Sequence, residues 1–75
     1  MKELIEFIAK SIVNKPENVT VTEERNDERV FLKLQVDEED MGRVIGKQGR
    51  VAQAMRTLLR VLAAKQGIRV DLDIV

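Results

Sequence analysis

The stretch MGRVIGKQGR, Met41 to Arg50, holds three of the chain's four glycines together with the cations Arg43, Lys47 and Arg50. Residues on both sides of it repeat apolar side chains at helical spacing, so Gly46, Lys47, Gln48 and Gly49 read as a four-residue connection between two consecutive helices. A short helix ends near Ile45, and a longer one runs from about Arg50 to Lys65, where Gln66 and Gly67 stop it. Glycines at both ends of so short a link permit a tight reversal. They also leave no side chain between the backbone and an approaching group.

Working outward, Asp37 stands as the N-cap of the short helix, and Asp40 takes the place of the Glu of a capping box. Further upstream, VTVTEE from Val19 and RVFLKLQV from Arg29 alternate apolar and polar residues around the polar turn RNDE, which is the pattern of a hairpin. Val30, Leu32, Leu34 and Val36 then share one buried face. Leu4, Ile5, Ile8, Ala9, Ile12 and Val13 place an amphipathic helix over about Lys2 to Val13, ended by Asn14 and Pro16. At the other end RVDLDIV alternates Val70, Leu72 and Ile74 against Asp71 and Asp73, whose carboxylates belong to the wet face of a strand. The predicted order is α-β-β-α-α-β. Three strands with one apolar face each and three helices to cover that face make a two-layer α+β sandwich.

Seventy-five residues bury only about 60 % of the unfolded surface, which leaves room for one small domain over residues 1–75. The chain has no Cys, His, Trp or Tyr, which removes disulfides, thiol chemistry, the usual zinc sites and His-based catalytic triads. No nucleophile–base pair or metal cluster stands out, so no enzyme activity, metal or cofactor is expected. Glu38, Glu39 and Asp40 read as capping and solvated charges. Glu3 and Glu6 interrupt the first apolar residues, against a signal peptide, and no apolar run reaches the length of a membrane span; a cytoplasmic location is expected.

Thirteen basic and thirteen acidic residues cancel to a formal charge of zero, but the two signs are separated along the chain. Between Met41 and Val70 there is no acid, whereas Arg43, Lys47, Arg50, Arg56, Arg60, Lys65 and Arg69 supply seven cations. That window points to a polyanion-facing side.

Three glycine-rich phosphate motifs compete for Met41 to Arg50. A Walker A loop fails because the spacing from Gly42 to Gly46 is one residue short and Gln48 stands where a magnesium-binding hydroxyl is needed. A dinucleotide fingerprint fails because the glycine spacing is wrong and the preceding element is a helix rather than a strand. The third is the GXXG loop of KH domains, which clamps the backbone of four nucleotides. VIGKQG, flanked by Gly42 and Arg43 before it and Arg50 after it, resembles the VIGxxG core of that family. The element order resembles its type II arrangement, a three-stranded mixed sheet covered on one face by three helices. The small size, with NKPENVTV, DMGRVIGKQGR and AMRTLLR, is similar to the stand-alone KH proteins of bacteria.

The resemblance implies a single-stranded RNA binder acting as an RNA chaperone, which self-associates and forms a complex with a second KH-containing protein. In that family the complex is linked to gene expression, cell elongation and cell-wall homeostasis. The RNA-binding residues expected here are Arg43, Ile45, Gly46, Lys47, Gln48, Gly49, Arg50, Val51, Gln53 and Ala54, with Ile45, Val51 and Ala54 as the apolar floor of a groove edged by the last strand. Backbone contact at the glycines is blind to sequence. Phe7 and Phe31 are the only aromatics, too few for strong base stacking. Arg60 and Arg69 are expected to matter less, lying helical turns or a loop away from the glycines.

The long helix has more apolar surface than one sheet can cover. Val51, Met55, Leu58 and Leu62 are expected to face one direction, with Ala52, Leu59 and Ala63 at one edge and Ala54 and Val61 at the other. The excess either packs on the first helix or forms a helix-to-helix homodimer centred on Ala54, Leu58, Val61 and Leu62. An alternative to RNA binding is a KH-fold module kept mainly for dimerisation or protein docking; the intact GKQG and Lys47 argue against it.

Overall fold

A computed structural model describes every residue from Met1 to Val75. Helix α1, Lys2–Ile12, buries Ile5 and Ala9 one turn apart and half-buries Ile8 and Ile12. It stops one residue earlier than its apolar pattern, at Val13, whose backbone is already extended (φ −93°, ψ 159°). A single 3-10 turn, Pro16–Asn18, leads into strand β1, Thr20–Arg25.

Strand β2, Arg29–Gln35, pairs antiparallel with β1 in the register Val21 to Leu34 and Arg25 to Val30. The connecting turn is closed by Asn26, whose Oδ1 accepts from the N–H groups of Glu28 at 3.1 Å and Arg29 at 2.9 Å. An asparagine can thus do locally what a longer loop would need several groups to do.

The short helix expected from Asp37 is two pieces, a 3-10 turn at Glu38–Asp40 and helix α2, Met41–Ile45. Asp37 does cap it, accepting from the Glu39 N–H at 2.9 Å. That hydrogen bond, then the Asn18 amide and Lys15, hold the Asp37 carboxyl below the usual carboxylate range. Asp40 corrects the sequence reading. It is neither a capping-box partner nor solvated, but 1 % exposed. Its two oxygens accept from the N–H groups of Asn14 at 3.1 Å and Lys15 at 3.0 Å, tying the segment after α1 to the start of α2. A buried carboxylate is tolerable only because it is satisfied in this way.

Helix α3, Arg50–Gln66, ends at Gly67, whose left-handed backbone (φ 69°, ψ 28°) lets Ile68 N–H return to the Ala63 carbonyl. Strand β3, Arg69–Ile74, then pairs parallel with β2, Val30 opposite Val70 and Leu32 opposite Leu72. The sheet order is β1-β2-β3. A parallel pair needs a crossover, and α2 and α3 supply it.

All three helices lie on one face. Val21, Val30, Leu32, Leu34 and Leu72 from the sheet meet Ile5, Val44, Met55 and Leu59, and Val36 joins them as its alternation predicts. Each fully buried aliphatic side chain contributes roughly 1.5–3 kcal/mol. The other face is open: Thr22, Glu24, Phe31, Lys33, Asp71 and Asp73 are exposed there, with the Arg29 guanidinium 5.6 Å from the Phe31 ring.

Candidate nucleic-acid interface

The link between α2 and α3 is built from left-handed backbone. Gly46 has φ 77° and ψ 170°, Gln48 φ 57°, and Gly49 φ 76° with ψ 13°. Gly46 N–H donates to the Gly42 carbonyl at 2.9 Å and Gly49 N–H to the Gly46 carbonyl at 3.1 Å, so the four residues form one wound turn. The two glycines are needed for different reasons. A Cβ on Gly46 would stand 2.5 Å from Val51 Cγ2 and 2.8 Å from Val51 N, whereas one on Gly49 would meet nothing within 4 Å. Gly46 is a packing glycine as well as a conformational one; Gly49 is only conformational.

Gly49 is the N-cap residue of the 17-residue α3, and no side chain caps that end. Gly49 N–H and Arg50 N–H already donate to the Gly46 and Lys47 carbonyls, so it is the N–H groups after Arg50 in the first turn, with the positive end of the helix dipole, that face an anion. Lys47, Gln48 and Arg50 are exposed around them. Of the cations between Met41 and Val70, only Arg43 is ion-paired, its Nε 3.7 Å from Asp40 Oδ1. The positive charge at the turn is thus uncompensated within the chain.

Beside the turn lies a groove of about 300 Å³, lined by Gln48 and Gly49 at one end. Its apolar lining is Ile45, Ala52 and Ile74, and its polar lining Gln53, Arg56 and Asp73. Arg56 is anchored there, Nε and Nη2 donating to the Leu72 carbonyl at 3.3 and 3.1 Å on the open edge of β3. The last strand edges the groove, and of the three residues expected as its apolar floor Ile45 lines it; Gln53 lines it too.

Val51 and Ala54 do not line it. Val51 packs on the core and closes against Gly46, and Ala54 is exposed on another side of α3. The cause is helix phase. Ala52, Met55, Leu59 and Ala63 face the sheet, so the buried stripe is rotated from the one that apolar content alone suggests. Small Ala52 and Ala63 let the helix lie close to the strands, leaving Leu58 at 47 % and Val61 at 53 % exposed and Leu62 half-buried. The excess apolar surface does not pack on α1, which lies against β1 and α2 while α3 covers β3. Ala52, Arg56, Asp73 and Ile74 are groove residues that the sequence reading missed; only the helix phase and the strand edge together reveal them. Phe7, on the outer side of α1, and Phe31, on the open sheet face, both stand away from the groove.

A family model described as the KH domain of KhpA and KhpB matches residues 2–74. The chain belongs to the KhpA/KhpB KH-domain family. Among curated relatives it is 52 % identical to RNA-binding protein KhpA of Clostridium perfringens over the full length of both chains. It is 48 % identical to RNA-binding protein KhpA of Listeria monocytogenes, covering 100 % of this chain and 99 % of the relative. For the protein of the same name from Aquifex aeolicus the identity is 43 %, over 99 % of this chain and 94 % of the relative. No solved structure matches the chain significantly. No helix is long and apolar enough to cross a membrane.

Proposed function

We propose that this chain, as one KH unit over residues 1–75, binds single-stranded RNA and acts as an RNA chaperone. The observation that carries the reading is the Gly46–Gly49 turn: unpaired Lys47 and Arg50 stand beside an uncapped helix N-terminus, at the mouth of a groove with an apolar lining. Relatives named for RNA binding along the whole chain support it.

Phosphates sit on the Gly46–Gly49 backbone, with Lys47, Arg50 and Arg43 as charge partners and Gln48 at the groove mouth. Bases lie over Ile45 and Gln53. Of the other residues expected on the RNA side, Val51 acts from beneath the turn and Ala54 borders the dimer seam.

A homodimer through Ala54, Leu58, Val61 and Leu62 is part of the proposal, supported by the exposure of that stripe. A complex with a KhpB-type protein, a cytoplasmic location and a part in cell elongation and cell-wall homeostasis rest on family membership. The family is not an enzymatic one, and no cofactor enters the account.

The test is the double variant Lys47→Asp, Gln48→Asp. Asp tolerates the left-handed conformation at position 48, so circular dichroism should report an intact fold while binding of a labelled single-stranded RNA is lost. A folded double variant that binds RNA undiminished would leave the exposed stripe on α3 as the working surface, and the chain as a protein-interaction module.

A further inference from the structure

Asp40 is the one buried ionisable side chain of the protein, and it does not line the groove. By position it is the N-cap residue of α2, where an aspartate ordinarily accepts from the N–H groups of the helix that it opens. Its side chain makes no such bond. Both oxygens are turned the other way, to the N–H groups of Asn14 at 3.1 Å and Lys15 at 3.0 Å, in the connection between α1 and β1. A carboxylate that could steady α2 locally is used instead to fix where α2 begins.

That fixing matters because α2 cannot place itself. Its five residues are too few for independent helical stability, and it buries a single side chain completely, Val44. Its far end is Gly46, which lies so close to Val51 that a Cβ does not fit. The helix is therefore pinned by Asp40 at its start, by Val44 in its middle and by Gly46 at its end. The two parts of the phosphate-facing surface hang on these pins: the glycine turn, and Arg43, whose Nε is 3.7 Å from Asp40 Oδ1. An arginine whose Nε faces a carboxylate keeps its terminal Nη donors for a second anion.

A second layer surrounds the first pin. Lys15 Nζ lies 3.1 Å from Glu39 and 3.7 Å from Asp37, and the Asn18 amide donates to Asp37 Oδ2 at 3.0 Å. Residues 14–18 are thus clasped to residues 37–40. The outer contacts are exposed to water and individually weak, whereas those at Asp40 are shielded, so Asp40 holds the clasp.

We propose that Asp40 is a positioning residue of the RNA site: by holding Asn14 and Lys15 it sets the start of α2, and through α2 the place at which the glycine turn and Arg43 meet one RNA backbone. This rests on the RNA-binding reading above and deepens it. The α1–β1 connection, which does not line the groove, becomes part of the site's support. A carboxylate suits the task because it is an acceptor at both oxygens, one for each of two adjacent N–H groups; an amide would turn a donor toward one of them.

The test compares Asp40→Asn and Asp40→Ala with Val21→Ala, which truncates a buried side chain of β1, a strand on which α1 rather than α2 packs. Each protein is studied at a temperature where circular dichroism shows it folded; should Asp40→Ala not fold, Asp40→Asn carries the comparison. Asp40→Asn keeps one acceptor, so it should bind a labelled single-stranded RNA several-fold more weakly than the unaltered protein, and Asp40→Ala more weakly still, while Val21→Ala binds as the unaltered protein does. In the RNA-free proteins the amide resonances of Gly46 to Arg50 should move in both Asp40 variants and stay in place in Val21→Ala. Unchanged affinity in the Asp40 variants would overturn the proposal, and so would a rise, which means that the carboxylate competes with RNA for Arg43. Equal weakening by Val21→Ala would overturn it as well, marking a general loosening of the fold. If the Lys47→Asp, Gln48→Asp variant keeps its RNA binding, the glycine-turn reading fails by itself, and the RNA-free resonances still decide whether Asp40 places the turn.

Discussion

Replacing Gly46 by alanine should be far more damaging than the same change three residues later at Gly49, although both glycines belong to one motif. At Gly46 the backbone (φ 77°, ψ 170°) lies in a region that essentially only glycine occupies, at a strain of about 1–3 kcal/mol for any other residue. The new methyl also arrives 2.5 Å from Val51 Cγ2 and 2.8 Å from Val51 N. The first atom belongs to a β-branched side chain packed on the core and the second to the opening turn of α3, so neither yields without moving the helix. Overpacking of this kind costs about 1–3 kcal/mol more. The two together, about 2–6 kcal/mol, rival the whole stability of about 5 kcal/mol at the lower end for small proteins. At Gly49 the left-handed conformation alone is penalised, about 1–2 kcal/mol, since open space surrounds the added methyl. Urea unfolding followed by circular dichroism reads the difference. With a slope near 1 kcal/mol per molar for so small a protein, Gly49→Ala should lower the midpoint by about 1–2 M and Gly46→Ala by at least twice that. Adding Val51→Ala should recover part of the Gly46→Ala loss, as a positive coupling in the double-mutant cycle. Equal costs at the two glycines, or no coupling to Val51, would refute the packing argument and leave the turn as a plain flexible link.

Leu58→Asp and Val61→Asp should each convert a dimer to monomer in sedimentation experiments without unfolding the protein, because both side chains are exposed in the single chain; monomer alone for the unaltered protein at high concentration would dispose of the seam. Asp40→Ala should destabilise by about 2–4 kcal/mol in chemical denaturation, since it strands the Asn14 and Lys15 N–H groups beside a buried site; a loss under about 0.5 kcal/mol, the size expected at an ordinary surface position, would contradict the anchoring role.

The fold was legible because each element announces itself by one period. The even-numbered residues Val30 to Val36 alternate into the core, and the apolar spacing of α1 carries Ile5 and Ala9 there. Gly67 stops α3 through its left-handed backbone. The glycine turn was legible for a different reason: a link of four residues between two helices needs positive φ, and the glycines supply it at two of the three positions that use it. The third, Gln48, carries no sequence signal, because its left-handed conformation follows from the turn rather than from its own preference. The phase of α3 was misread because hydrophobicity favours Leu58 and Leu62, whereas packing against a sheet favours the small Ala52 and Ala63. That shift moves Ala54 out of the groove and brings Ala52 and Arg56 in. Asp40 was misread as well, since its partners, Asn14 and Lys15, are 26 and 25 residues away in sequence.

The most direct measurement is an amide chemical-shift map of the isotope-labelled protein titrated with a single-stranded RNA. The largest shifts should fall on the N–H groups of Gly46 to Val51, where phosphates meet the backbone, with a second set along Gln53, Arg56 and Ile74 of the groove. The open sheet face around Thr22 and Lys33 should remain unmoved. Shifts that cluster on that open face, or on Leu58 and Val61, while Gly46 to Arg50 stay still would contradict RNA binding through the glycine turn.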